Sequence, residues 1–258
     1  MVSRVALVTG AARGIGAATS RALAAEGWSV VAVDRASPDA RLPYEMGSED
    51  QLEALAGERI EVARVDVTDG AAVGALVDGI GARHGGLDAV VAAAGVIAGG
   101  VPLWEMPSEQ LDAVLDVDLH GVIATARAAV PALLARAAPR DGRFIAIASV
   151  AGMRGLPMLS AYCAAKAGVI GLIRGLALEL RGSGVTANAI SPGSTRTPIL
   201  DESARLFDLE SVEDFAAQHP IERLLEPVEV AGLVVWLAGP AGAAVTGANL
   251  PVDGGLSL

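Results

Sequence analysis

Tyr162 and Lys166 stand four residues apart in Ser160-Ala-Tyr-Cys-Ala-Ala-Lys166, inside a segment whose apolar spacing reads as helix. At that spacing both side chains leave one helix face, one turn apart. An ammonium held there favours the ionised phenol and would bring the tyrosine pKa down from about 10 towards neutrality. A tyrosine tuned in this way exchanges a proton with an alcohol or carbonyl oxygen at physiological pH. Ser149 ends the strand-like run Arg143-Phe-Ile-Ala-Ile-Ala-Ser149, and its hydroxyl could hold the same oxygen. Taken alone, Tyr-x-x-x-Lys is more often a surface helix pair and such a serine a turn residue. The elements around them decide.

Runs of strand character fall at 4–9, 29–34, 60–66, 89–93, 143–149, 185–190 and 249–252. Helical patterns lie between most of them, at 15–26, 71–83, 109–134 and 161–181. Continuous apolar strands alternating with helices imply βαβ units and a parallel sheet covered on both faces. The expected architecture is α/β: one domain over residues 1–258, with a doubly wound, seven-stranded parallel sheet and helices on both faces.

Strand one leads into Thr9-Gly-Ala-Ala-Arg-Gly-Ile-Gly16, and a helix follows. Gly10, Gly14 and Gly16 allow a tight turn and a close approach of backbone to a pyrophosphate at the helix N-terminus. Asp34 ends strand two, 18 residues beyond Gly16, where a carboxylate can accept hydrogen bonds from ribose hydroxyls and repel a 2′-phosphate. That favours NAD over NADP. Arg13 and Arg35 pull the other way, since either could meet a phosphate. A glycine turn with no ligand is the bland alternative. Asp66, closing strand three, suits either the adenine amino group or a helix cap before Ala71.

A net charge of −11 and the lack of a basic cluster exclude nucleic acid as a partner. The single cysteine, Cys163, excludes an intrachain disulfide framework and fits a reducing cytosol. The N-terminus shows no signal-peptide pattern, and the longest uncharged stretch, 89–104, is short and glycine-rich for a membrane span. A cytoplasmic protein with no metal site is expected.

With Thr-Gly-x-x-x-Gly-x-Gly, Ser149, Tyr162 and Lys166 in this order, essentially the whole chain resembles the short-chain dehydrogenase/reductase family, whose domain is a Rossmann fold. The resemblance makes Ser149, Tyr162 and Lys166 catalytic, with Lys166 also on the nicotinamide ribose. It extends the cofactor set to Ile15, Val67, Ala93 and Gly95, and to Pro192 and Gly193 of Ser-Pro-Gly-Ser-Thr-Arg-Thr197. There Thr195 would meet the carboxamide and Thr197 the pyrophosphate. The C-terminal Val-Thr-Gly-Ala-Asn-Leu-Pro-Val-Asp-Gly-Gly255 matches a last strand that in this family commonly joins a homotetramer. Two departures stand out. Ala92-Ala-Ala-Gly95 replaces Asn-Asn-Ala-Gly, removing side chains that brace strand four. Asp118 occupies the place of the fourth catalytic residue, an asparagine; it could orient a water relayed to Lys166, or be an ordinary solvated or capping group.

The connection after Asp34, an insert over about 36–50, is long and mostly irregular, with a helix start near Ser48. It is either a tolerated surface insertion or a cover over the adenosine half of the cofactor. Its Leu-Pro-Tyr-Glu-Met-Gly-Ser-Glu-Asp-Gln-Leu resembles the insert of the mycofactocin-coupled branch. That resemblance implies tightly held NAD, reoxidised by mycofactocin as an external electron acceptor, with Pro43 and Tyr44 stiffening a lid.

Substrate contacts are expected from 96–104, 151–159 and 199–225. The last reads as an amphipathic lid or as a helix packed on a neighbouring subunit. Met153, Leu156, Met158 and Trp104 suggest a small apolar alcohol or ketone, and Arg154 is the nearest cation for a substrate anion. The expected activity is that of an NAD-dependent alcohol dehydrogenase or ketone reductase. The alternatives are a 3-oxoacyl-type reductase with freely exchanging cofactor and a nucleotide-sensing protein that has lost catalysis.

Overall fold

The computed structural model describes residues 4–258. The leader-free reading of the N-terminus rests in part on residues 1–3, which lie outside them.

Seven parallel strands form one sheet in the order β3-β2-β1-β4-β5-β6-β7. They are β1 (Val5–Thr9), β2 (Ser29–Asp34), β3 (Ile60–Arg64), β4 (Ala89–Ala92), β5 (Arg143–Ile147), β6 (Thr186–Pro192) and β7 (Asn249–Val252). The helices are α1 (Gly14–Ala25), α2 (Glu49–Glu53), α3 (Gly70–His84), α4 (Ser108–Leu115), α5 (Gly121–Leu134), α6 (Ser160–Glu179), α7 (Pro198–Leu206) and α8 (Pro227–Ala238). The expected α/β architecture is present.

Strand alternation divides the core in two. Val5, Leu7, Val90 and Phe144 face α3, α5 and α6 through Ile80, Leu133, Val169 and Ile173. Ala6, Val8, Val91 and Ile145 face α1 and α8 through Leu23, Val230, Val234 and Leu237. Every residue of β1 is buried, so no polar face interrupts the apolar run. Each large side chain buried this way contributes about 1.5–3 kcal/mol.

Three local readings change. The helix expected over 109–134 runs without a break but contains a π-helical turn, Asp116–His120, between α4 and α5. Asp69, not Asp66, caps α3: its carboxylate accepts from the amides of Ala71 and Ala72. Two helical stretches, Ser108–Leu134 and Ser160–Glu179, are long and apolar enough to cross a bilayer, although the reading of 89–104 found no candidate. Here their apolar faces pack on the sheet.

The chain runs outward from β1 to β3 and then returns to place β4 on the other side of β1. The strand order reverses there, and a crevice lies beyond the C-terminal ends of the strands. The loops after β1, β4, β5 and β6 all open into it.

Candidate active site

The crevice is a cavity of about 570 Å³ whose lining runs from Asp34 and Asp66 at one end to Ser149, Tyr162 and Phe207 at the other. Every residue assigned to the cofactor from the sequence lines it: Gly10, Arg13, Gly14, Ile15, Gly16, Asp34, Arg35, Asp66, Val67, Ala93, Gly95, Tyr162, Lys166, Pro192, Gly193, Thr195 and Thr197.

Gly10 and Gly14 have φ of +66° and +56°, and a Cβ on Gly10 would lie 2.6 Å from the Ala94 backbone. Only glycine allows that turn and that approach of β1 to β4. The end of β4 is tied to β1 by Thr9, whose Oγ1 accepts from the amides of Ala93 at 3.1 Å and Ala94 at 3.2 Å. Thr197 packs over the turn, so that a Cβ on Gly14 would sit 3.2 Å from its methyl group.

Asp34 is held by the amides of Ala12 (3.1 Å) and Ala36 (2.9 Å). Arg35 pairs with Asp39 at 2.9 Å and Asp66 at 3.6 Å. Its charge is thereby matched within the protein. Arg13 donates to the Glu45 carbonyl at 2.7 Å, in the insert.

The insert docks at both of its ends. Leu42 is buried among Val96, Ile97 and Val117, and Tyr44 Oη accepts from the Ile97 amide at 2.9 Å. Arg41 bonds Asp116 at 2.8 Å as well as Asp39. Burial pushes the Tyr44 phenol well above its ordinary range. Met46 and Gly47 line the cavity, and a Cβ on Gly47 would meet the Ala12 methyl at 2.7 Å and the Asp34 carboxylate at 3.5 Å. Ser48 then caps α2 in a capping box with Gln51, where the helix start was expected. The sequence pointed to Tyr44 but not to its partner, 53 residues away.

At the other end, α6 presents Tyr162 and Lys166 on one face, both buried. Ser149 caps the single turn Val150–Gly152, its Oγ accepting from the Ala151 amide at 3.1 Å. That turn lies so close to α6 that a Cβ on Gly152 would be 2.7 Å from the Lys166 backbone. Ser149 and Tyr162 both line the cavity at this end. Lys166 Nζ lies 5.5 Å from the Tyr162 ring centroid, donates to the Ile147 carbonyl at 3.3 Å and pairs with Asp118 Oδ1 at 3.6 Å.

Two expectations are corrected here. Asp118 is neither solvated nor spaced from Lys166 by a water; it is fully buried and contacts the ammonium directly. Burial raises its carboxyl to about 6, against the opposing pull of Lys166 and the Val96 amide. Nor is the Tyr162 phenol tuned downwards: burial first, then the Asp118 charge, carries it well above its ordinary value, with Ser149 pulling the other way.

On the substrate side, Leu156 lines the cavity, whereas Trp104, Met153 and Met158 are exposed and do not. The apolar lining instead comes from Ile97, Leu159, Ile199, Leu200, Phe207, Leu209, Phe215 and Leu256. Phe207 and Phe215 meet edge to face at 6.3 Å. Arg154 lines the cavity and donates to the Leu256 carbonyl at 2.6 Å. The sequence reading missed His219, which is buried, accepts from the Ser194 amide at 3.2 Å and bonds the Phe215 carbonyl at 3.0 Å. It pins the loop after β6 to the 199–225 segment.

Comparison with known proteins agrees with this geometry. Residues 10–257 match a family model described as enoyl-(acyl carrier protein) reductase. The chain is 41% identical over 254 residues to cis-4-hydroxycyclohexanecarboxylate dehydrogenase of Sinomonas cyclohexanicum, covering 98% of this chain and 96% of that protein. It is 35% identical over 272 residues to (-)-trans-carveol dehydrogenase of Rhodococcus erythropolis, covering 99% and 98%. The crystal structure of carveol dehydrogenase from Mycobacterium avium in complex with NAD superposes with a TM-score of 0.93 at 34% identity, over 99% of this chain and 98% of that one. The chain belongs to the short-chain dehydrogenase/reductase family.

Proposed function

We propose that this oxidoreductase interconverts a small, largely apolar secondary alcohol and its ketone, using NAD that it holds tightly and that mycofactocin reoxidises. The observation that carries the reading is the one cavity joining a glycine turn and ribose-facing carboxylate to a buried Ser–Tyr–Lys group. Its residues fit NAD: the glycine cradle would take the pyrophosphate, Asp34 the adenosine ribose, and Lys166 the second ribose. NAD, when bound, supplies the hydride acceptor for oxidation. Ser149 orients the substrate hydroxyl, Tyr162 takes its proton, and the Phe207–Phe215 wall excludes water. The two relatives named for cyclic alcohols support a carbocyclic substrate.

Retention of the cofactor is supported by the insert, which passes over Asp34 and is latched through Tyr44 and Arg41. The 199–225 segment serves as the substrate lid. A homotetramer is part of the proposal: β7 is an edge strand, and α8 exposes Val228 and Trp236. A cytoplasmic location completes the reading.

The test is to purify the protein without added nucleotide, denature it and quantify released NAD(H). Near-stoichiometric NAD after extensive dialysis is expected, falling on Tyr44→Phe as the latch is lost. Empty protein that turns over readily with added NAD would remove the mycofactocin assignment and leave a dehydrogenase or 3-oxoacyl-type reductase with exchanging cofactor.

Asp34 supplies a second expectation. The Ala12 and Ala36 amides bond different oxygens of Asp34, so Asp34→Asn keeps an acceptor for one of them while removing the charge that repels a 2′-phosphate. The preference for NAD over NADP should fall about tenfold or more, equivalent to about 1.4 kcal/mol. An unchanged ratio of the two dissociation constants would dismiss that role.

A further inference from the structure

Of the two carboxylate oxygens of Asp118, Oδ1 accepts from the Val96 amide at 2.9 Å and faces Lys166 Nζ, while Oδ2 is buried without a hydrogen-bond partner. A Cβ on Gly95 would lie 3.0 Å from Asp118 Oδ1 and 3.4 Å from Lys166 Nζ, so the pair is packed tightly against the loop after β4. An amide in this place would be neutral and would leave the ammonium's field free to act on the phenol. A carboxylate sets a negative charge beside that ammonium. In a buried cluster with little water to screen it, the two charges largely cancel as seen from Tyr162.

We propose that Asp118 is a positioning residue that sets the pH at which Tyr162 acts as a base: by neutralising Lys166 it holds Tyr162 as the phenol and confines alcohol oxidation to higher pH. The catalytic part rests on the dehydrogenase reading given above. Each packed element contributes to the electrostatics. The helix α6 brings Lys166 and Cys163 to Tyr162, the loop after β5 brings Ser149, and the π turn brings Asp118. The insert brings Tyr44 towards Asp118, with Glu202 and Arg13 beyond it. Among these, Lys166 alone is a cation in contact with the carboxylate.

The chain has two tyrosines, which makes a direct test available. In a Tyr44→Phe background, stripped of nucleotide, near-ultraviolet absorbance of the phenolate follows Tyr162 alone. Asp118→Asn should lower its midpoint by about one pH unit or more. A midpoint that stays in place or rises overturns the proposal. If Asp118→Asn does not fold, Asp118→Leu removes the same charge and carries the same expectation. The second readout is the pH profile of alcohol oxidation, whose rising limb should move to lower pH with KM for the alcohol unchanged. A merely structural role would lower activity without moving that limb. Because the absorbance titration needs no substrate, it stands even if no alcohol is turned over. An active enzyme with an unshifted midpoint would overturn this proposal alone.

Discussion

Replacing Tyr162 with phenylalanine should reduce turnover of a secondary alcohol by about 10³-fold, within the range lost when a positioned proton-transfer group is removed. The ring remains, so the packing against Ala161, Ala165 and Leu159 in the cluster beneath the site persists. Nucleotide binding and melting temperature should therefore change little while kcat collapses. The loss belongs to the chemical step because the hydroxyl is the one group at this end whose proton can pass to and from the substrate oxygen. Ser149, a neutral hydroxyl already accepting from the Ala151 amide, cannot replace it as a base. Single-turnover rates with bound cofactor would check this. A variant that keeps a tenth of wild-type kcat would show that the proton leaves by another route.

Lys166→Met should produce the largest loss of stability of any single change at the site. The substitution keeps an apolar stem but strands the Asp118 carboxylate, which is fully buried and has Lys166 as its cationic partner. Breaking a buried pair from one side costs about 3–5 kcal/mol, because the remaining charge has lost its compensation. The sign with pH follows from the carboxyl. Its folded pKa is raised to about 6 from 3.8 even with Lys166 present, and removal of the cation raises it further. A carboxyl whose folded pKa is raised carries no penalty below its unfolded pKa; the penalty builds as pH rises from the unfolded to the folded value and levels off above it. The deficit of Lys166→Met relative to the parent should therefore grow as pH rises above about 6 and shrink as pH falls below it. Adding Asp118→Asn should restore most of it. Chemical denaturation of the four proteins across pH would measure this, and a double variant no more stable than Lys166→Met would reject the pairing.

How much of this was legible depends on the range of the interactions. The sheet could be read because strands such as Val5–Thr9 and Ala89–Ala92 are buried on both faces, so burial and sequence carry the same unbroken apolar pattern. The glycine turn was legible because backbone geometry forbids other residues at Gly10. The π turn at 116–120 was not, because nothing in its local periodicity shows it. Asp118 sits in that turn with partners, Val96 and Lys166, that come from a loop and a helix far away in sequence. The same limit hid the seat of Tyr44. Counting apolar residues near the substrate loops correctly gave an apolar wall but chose some of the wrong members. Trp104 at 84% exposure points outward, and composition carries no direction. The expected downward tuning of Tyr162 failed for an energetic reason: burial opposes the phenolate and the Asp118 charge opposes it further, and neither is visible from the Tyr-x-x-x-Lys spacing.

The docking of the insert has a consequence beyond covering the adenosine end. Arg41 reaches Asp116, the first residue of the π turn whose third residue is Asp118, and Tyr44 holds the amide of Ile97, next to the Val96 amide that donates to Asp118. Opening the insert therefore withdraws support from both neighbours of the carboxylate that faces Lys166. Two processes sharing these contacts are thermodynamically linked, and linkage is reciprocal. Whatever free energy the closed insert lends to one charge arrangement around Lys166, that arrangement returns to closure. On the proposal that the insert retains NAD, proton occupancy at the reacting end and departure of the nucleotide at the far end should then be two coordinates of a single equilibrium.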